Sequence, residues 1–302
     1  MSLLVVGSVA FDAVETPFGK VERTLGGAAT YFSLAASFFT HVNLVAVVGE
    51  DFTARDAAVF GGRRIDIAGL ERASGKTFFW AGRYSHNLNE RTTLATELNV
   101  FAQFNPQLPA AYRDSAYIFL ANIDPTLQRS VLAQVRRRPR VVALDTMNYW
   151  IERTPVELEE TLKHTQILMI NDAETRQLSS EHNLLRAARH IFRLGPRTLV
   201  IKRGEHGAMM VHRDSVFCVP AFPLEEVRDP TGAGDSFAGG FMGYLAKVGH
   251  VTTSTLRRAM VYGSVLGSFA VERFGLDRLR KLTRHEITRR ARHFRQLTQF
   301  EL

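Results

Sequence analysis

The sequence predicts an α/β protein: a mainly parallel sheet flanked by helices, with a smaller β-rich appendage. Three observations predict this class. Short β-prone runs alternate with helical patterns nearly throughout the 302 residues, the rhythm of strand–helix–strand crossovers. Two segments, 12–25 and 77–105, interrupt that rhythm without any helical pattern. No linker rich in Pro, Gly or Ser divides the chain and no repeat is apparent, so a single domain over 1–302 is expected.

Taken in order, strands are predicted over 3–9, 42–48, 116–121, 140–145, 166–170 and 198–202. Helices are predicted over 28–39, 126–137, 155–163, 171–179, 182–194, 234–248 and 254–273. The interrupting segment 77–105 opens on Thr77-Phe78-Phe79-Trp80 and carries β-prone, aromatic runs between polar loops. Together with 12–25 it is expected to form a small accessory sheet, a lid on the main core, in which these aromatics are buried.

Composition narrows the class. A 45% hydrophobic content with 23% charged residues is globular, and the single cysteine, Cys218, excludes an internal disulfide framework. Residues 3–9 are too short for a membrane span and lack the basic segment that precedes a signal peptide core. A cytoplasmic protein with no membrane partner is expected. Net charge is +8, with basic clusters at Arg136–Arg138 and at Arg284, Arg289, Arg290, Arg292 and Arg295. Such a balance suits anionic nucleotides as well as nucleic acid. No nucleic-acid-binding motif accompanies it, and aromatics are not interleaved with the basic residues, so a solvated helix face is expected and no nucleic-acid partner.

The chemistry concentrates in Asp229-Pro-Thr-Gly-Ala-Gly-Asp-Ser-Phe237. Gly232 and Gly234 allow a sharp turn and close backbone approach, and the amphipathic run that follows places these amides at a helix N-terminus, which favours anions. Asp235 lies among them. A carboxylate in an anion site is awkward unless it does chemistry, such as taking a proton from a hydroxyl while amides hold the charge that develops beside it.

Thr231-Gly-Ala-Gly-Asp235, with Asp229 upstream, resembles the C-terminal signature of the ribokinase-like (PfkB) carbohydrate kinase family. The resemblance implies a three-layer α/β/α core with a mainly parallel sheet and a small β lid. It implies Asp235 as catalytic base, with Gly232, Ala233 and Gly234 forming the anion hole. Other motifs follow the family's order. Asp12, after the first predicted strand, matches the aspartate that holds sugar hydroxyls. Gly26-Gly27 matches the first signature, but Tyr31 stands where the family commonly has a substrate-contacting asparagine; that departure bears on substrate identity.

Asn171-Asp-Ala-Glu174 matches the family's Asn-x-x-Glu motif for Mg²⁺ and its water shell; the same residues also form an ordinary capping box. Lys202-Arg-Gly204-Glu-His-Gly207 resembles the nucleotide loop, and Asp229 and Thr231 fall where relatives bind an activating K⁺. Ser264, with Gly263, Gly267 and Ser268, marks either a slot for adenine or close helix packing. Gly75-Lys76-Thr77 is a decoy: a P-loop needs glycine at position 70, which is Leu70, and a helix where Phe78-Phe79-Trp80 is strand-like.

The expectation is an ATP- and Mg²⁺-dependent kinase acting on a hydroxyl of a small sugar or sugar-like molecule. A nucleoside kinase of the same fold is the alternative, and a catalytically silent binding protein the third reading. The family's lid closes over the sugar and in some members forms a dimer contact, so a homodimer through the lid is a further expectation.

Overall fold

The computed structural model describes residues 2–299 and 301. Nine strands form the main sheet: β1 (Ser2–Val6), β4 (His41–Val48), β5 (Ile65–Arg72), β8 (Tyr117–Leu120), β9 (Val141–Leu144), β10 (Ile167–Asn171), β11 (Thr198–Lys202), β12 (Ala208–His212) and β13 (Ser215–Val219). Their order is β13-β12-β11-β10-β9-β8-β1-β4-β5, parallel from β11 to β5, with β12 and β13 antiparallel at one edge.

Burial on both faces explains the central strands. Leu3 and Val5 join one apolar cluster while Leu4 and Val6 join the other, and Tyr117 and Phe119 alternate likewise with Ile118 and Leu120. On the first face lie α1 (Ala28–Ser37), α8 (Ala233–Val248), α9 (Thr253–Ala270), α10 (Asp277–Lys281) and α11 (Arg284–Thr298). On the second lie α3 (Pro125–Ala133), α4 (Asn148–Arg153), α5 (Pro155–Leu162), α6 (Asp172–Ser179) and α7 (Leu184–Arg193). One short helix, α2 (Ala54–Ala57), follows β4. The result is the expected three-layer core. Phe32 of α1 stacks on Phe119 of β8 at 4.3 Å between ring centroids.

The two interrupting segments pair in a separate four-stranded sheet. Its strands β2 (Ala10–Thr16), β3 (Gly19–Gly26), β6 (Phe79–Tyr84) and β7 (Arg91–Glu97) run in the order β3-β2-β6-β7. β2 is antiparallel to β3 and parallel to β6, and β7 is antiparallel to β6. Behind it Phe78 stacks on Phe101, and Phe101 on Phe104. Thr77, in the decoy motif, is buried; its hydroxyl donates to Asp51 at 2.7 Å and accepts the Gly49 N–H at 2.9 Å.

Several elements depart from expectation, among them the short helices α2, α4 and α10, which lie outside the predicted helices. The strand expected over 3–9 ends at Val6, because the chain turns at Gly7–Val9 and pairs at once in β2. Asp12 therefore lies inside β2 and not just past the first strand. Edge strand β5 and the antiparallel hairpin β12–β13 escape prediction. Half-exposed edges carry weaker apolar patterns than doubly buried strands. At the C-terminus Arg284, Arg289, Arg292 and Arg295 are exposed, as a solvated helix face requires. Arg290 instead packs inward over the Phe269 ring at 3.5 Å and binds Glu272 at 2.6 Å.

Candidate active site

The site lies at the carboxyl ends of the parallel strands, where open α/β sheets bind ligands. Its centre is the start of α8. The N-cap, Gly232, is left-handed at φ 74°, and the Tyr31 ring lies flat where a side chain at Gly232 would go. No side chain caps the helix. Of the first-turn amides, Ala233 already donates to Pro230 O at 3.2 Å and Ser236 to Gly232 O at 2.8 Å. Within the first turn this leaves the Gly234 and Asp235 amides at the helix start.

Asp235 is half-buried at this helix start. Burial and the nearby Asp145 carboxylate push its pKa up to about 6, while Lys202 and Arg91 pull the other way. Asp229, buried, pins the preceding loop: its Oδ1 accepts the Thr231 N–H and its Oδ2 the Gly275 N–H, both at 2.9 Å. Thr231 also reaches the small sheet, its hydroxyl donating to the Tyr84 hydroxyl at 3.4 Å.

Across the cleft, β2 carries Asp12 opposite Trp80 of β6. The carboxyl fills the space that a side chain at Gly26 would need, which is why that strand end takes glycine. Burial, aided by the charges of Asp229 and Asp235, raises Asp12 to about 7, opposed by a hydrogen bond from the Gly27 N–H. Gly27 caps α1. Tyr31, one turn into that helix, is buried, and its hydroxyl has no hydrogen-bond partner among the described residues. Burial and the surrounding carboxylates Asp229, Asp12 and Asp235 hold it well above the usual phenol range.

On the sheet side of α8, Asn171 caps α6. Its side chain accepts the Glu174 N–H at 2.8 Å, and Glu174 returns the bond to the Asn171 N–H at 2.8 Å. The capping box is therefore present, and burial raises Glu174 to about 7 against the pull of Lys202. Lys202, at the end of β11, binds Asp145 at 3.0 Å. The loop Gly204–Gly207 follows it, and Asn89, between β6 and β7, donates to Glu205 at 3.2 Å. Gly263 and Gly267 face Phe237 and Ala233 of α8, so helix packing accounts for them; Ser264 beside them is half-exposed.

The fold thus gathers Asp12, Gly26, Gly27, Tyr31, Asp229, Thr231 and Asp235 around one cleft, with Asn171, Glu174 and Lys202 alongside. Sequence reasoning missed Asp145 and Arg91. Asp145 is the last residue of a predicted strand, close to the signal used for Asp12, but no motif drew attention to it. Arg91, on an exposed strand, has no local signal at all.

The structure sets Asp235 at a helix start near the Lys202 ammonium, with a second acid, Asp12, buried nearby. The comparisons with known proteins define the class. Residues 2–281 match the model of the pfkB family carbohydrate kinases, and the chain belongs to that family. It is 29% identical to a cytidine kinase of Thermococcus kodakarensis, over 80% of this chain and 87% of that protein. It is 26% identical to an inositol 3-kinase of Arabidopsis thaliana, over 90% and 74% respectively. A crystal structure of a putative ribokinase II from E. coli shares the fold at a TM-score of 0.79 and 19% identity, covering 97% of this chain and all of that one. The chain is therefore a phosphotransferase of the sugar and nucleoside kinase class, using ATP and acting on a hydroxyl group. Among the described residues no helix is long and apolar enough to cross a membrane.

Proposed function

We propose that this kinase phosphorylates a hydroxyl of a ribosyl or similar cyclic polyol group, with a nucleoside as the favoured acceptor and a free sugar as the second. The observation that carries it is the opposition of Asp235, at the start of α8, to Asp12 in the small sheet. Similarity to a cytidine kinase favours the nucleoside. In the reaction, the acceptor oxygen attacks the γ-phosphorus of ATP as the bond to the β-phosphate oxygen breaks. The electron pair of that bond leaves with ADP, and the acceptor's proton goes to Asp235. The Gly234 and Asp235 amides hold charge on the transferred group. Asp12 orients the acceptor through its hydroxyls, and Gly26 and Gly27 let it approach. The loop Gly204–Gly207 and Ser264 line the nucleotide side.

Glu174, beside Asn171, is a hard oxygen donor that suits Mg²⁺ held through water. Among the described residues no three His, Cys, Asp or Glu side chains form a cage, which fits an ion held largely by water and phosphates. Bound there, Mg²⁺ would supply charge neutralisation at the phosphates. Asn171 orients Glu174 towards it. K⁺ is assigned to the loop of Asp229 and Thr231, and the small sheet, segments 12–25 and 77–105, acts as the lid.

The test is ATP consumption over a panel of ribonucleosides, pentoses, hexoses and inositols, with the phosphate ester read by phosphorus NMR. Ester formation is expected, with higher kcat/KM for a nucleoside than for ribose. ATP turnover that no member of the panel stimulates overturns the reading.

A further inference from the structure

We propose that Lys202 is a catalytic residue of the phosphoryl-transfer step, held by Asp145 so that its ammonium meets the equatorial oxygens of the transferred group beside the Gly234 amide. This rests on the reading of the α8 N-terminus as the phosphoryl site.

Place is the first argument. β9, β10 and β11 lie side by side, so Asp145, Glu174 and Lys202 emerge together from their carboxyl ends. Lys202 Nζ is 3.0 Å from Asp145 Oδ2, and a Cβ placed on Gly234 would lie 3.2 Å from that same nitrogen. The ammonium therefore contacts a buried carboxylate and lies beside the helix start.

The second argument is the shortage of amides. Ala233 gives its N–H to Pro230, so the first turn of α8 is left with the amides of Gly234 and Asp235. Charge spread over three equatorial oxygens needs more donors than remain, and an ammonium supplies three.

Electrostatics is the third. A cation at a helix N-terminus meets the positive end of the dipole and is disfavoured there unless an anion will share the place. Asp145 holds it in position meanwhile. Its Oδ1 accepts the Thr146 N–H at 2.9 Å, and its backbone carbonyl accepts from Gln128 at 3.1 Å, so the carboxylate has little freedom to turn. Lys202 keeps its protons throughout; the acceptor's proton still goes to Asp235. Asp145 is a positioning residue.

A purely structural ion pair makes the opposite forecast. Removing one partner of a buried pair strands a charge, whereas removing both is often neutral. The test is therefore Lys202→Met, Asp145→Asn and the double variant of the full chain with Mg²⁺. Turnover, melting temperature and the separate affinities for ATP and ADP without acceptor are measured.

Lys202→Met should lower kcat by about 10²-fold with acceptor KM little changed, the scale seen for losing one preorganised donor. It should also cut the preference for ATP over ADP by about tenfold, since that preference reports the γ-phosphate. Asp145→Asn should lower kcat less, with Asp145→Glu recovering part of it. The double variant should regain melting temperature but not turnover. A double variant with parental kcat, or a Lys202→Met protein with the parental ATP preference, overturns the proposal. Asp235→Asn serves as the control: normal turnover there would sink the base assignment and leave Lys202 standing. If no acceptor is turned over at all, the ATP and ADP titrations still decide.

Discussion

The two sheets bring carboxylates to one cleft under opposite conditions. Asp235, on the side of the main sheet, is half-buried, and two cations, Lys202 and Arg91, pull its pKa down against burial. Asp12, in the small sheet, is buried, and one amide, that of Gly27, favours its charged form while Asp229 and Asp235 oppose it. The first group is kept able to ionise beside an anion. The second is left short of partners, which suits a residue whose missing hydrogen bonds come from an acceptor's hydroxyls. On the proposed reading, chemistry sits on the side of the main sheet and acceptor recognition on the small one.

That division is broken most severely at Asp235. Asp235→Asn should lower kcat by ~10²–10⁴-fold, the usual scale for a general base, with ATP binding intact. Near-normal turnover would remove the base from the account.

Protonation separates the two functions of these acids. A base must be ionised, so kcat/KM should fall about tenfold per pH unit below about 6, where Asp235 protonates. Stability should run the other way. Asp12 and Glu174 at about 7 and Asp235 at about 6 lie above the ordinary carboxylate range, so between that range and those values the folded chain binds more protons than the unfolded one. Each carboxyl therefore destabilises the ligand-free fold as pH rises through its folded value. His212, lowered by burial, opposes this in part, whereas Glu286, drawn to about 2 by Arg278, titrates outside the window. Melting temperature without ligands should fall from about pH 5 to about pH 7, and Asp12→Asn should flatten that slope. A slope unchanged in Asp12→Asn would mean that its carboxyl titrates normally.

The smallest effects belong to the small sheet. Truncating Trp80 or Tyr84 to Ala should raise acceptor KM several-fold, or raise ATP hydrolysis relative to transfer, as loss of water exclusion does. Acceptor should slow hydrogen exchange in 77–105 more than in core strand β9. Unaltered exchange, with weakened self-association in the variants, would make the sheet a dimer contact only.

Legibility in the sequence followed the range of the interactions. Strands buried on both faces, such as β1, β8 and β10, are nearly continuous apolar runs and could be read directly. Edge strand β5, with Asp66, Glu71 and Arg72 among its eight residues, could not. The motifs at Asn171–Glu174 and Asp229–Asp235 were legible because each turn packs its chemistry into consecutive residues. Asp145 and Lys202 are 57 positions apart and Tyr84 and Thr231 147 apart, so only the folded chain joins them. Asp12 was legible as a residue but not in its setting. The turn at Gly7–Val9 that carries it into the small sheet follows an apolar run with no break strong enough to announce it.

The division of labour is tested most directly by titrating Asp12→Ala separately with ATP and with an acceptor that the parent phosphorylates. The account predicts an ATP dissociation constant within about threefold of the parent, ~0.6 kcal/mol, and acceptor binding weakened at least about tenfold. Equal damage to both affinities would contradict it and make Asp12 a structural residue of the small sheet.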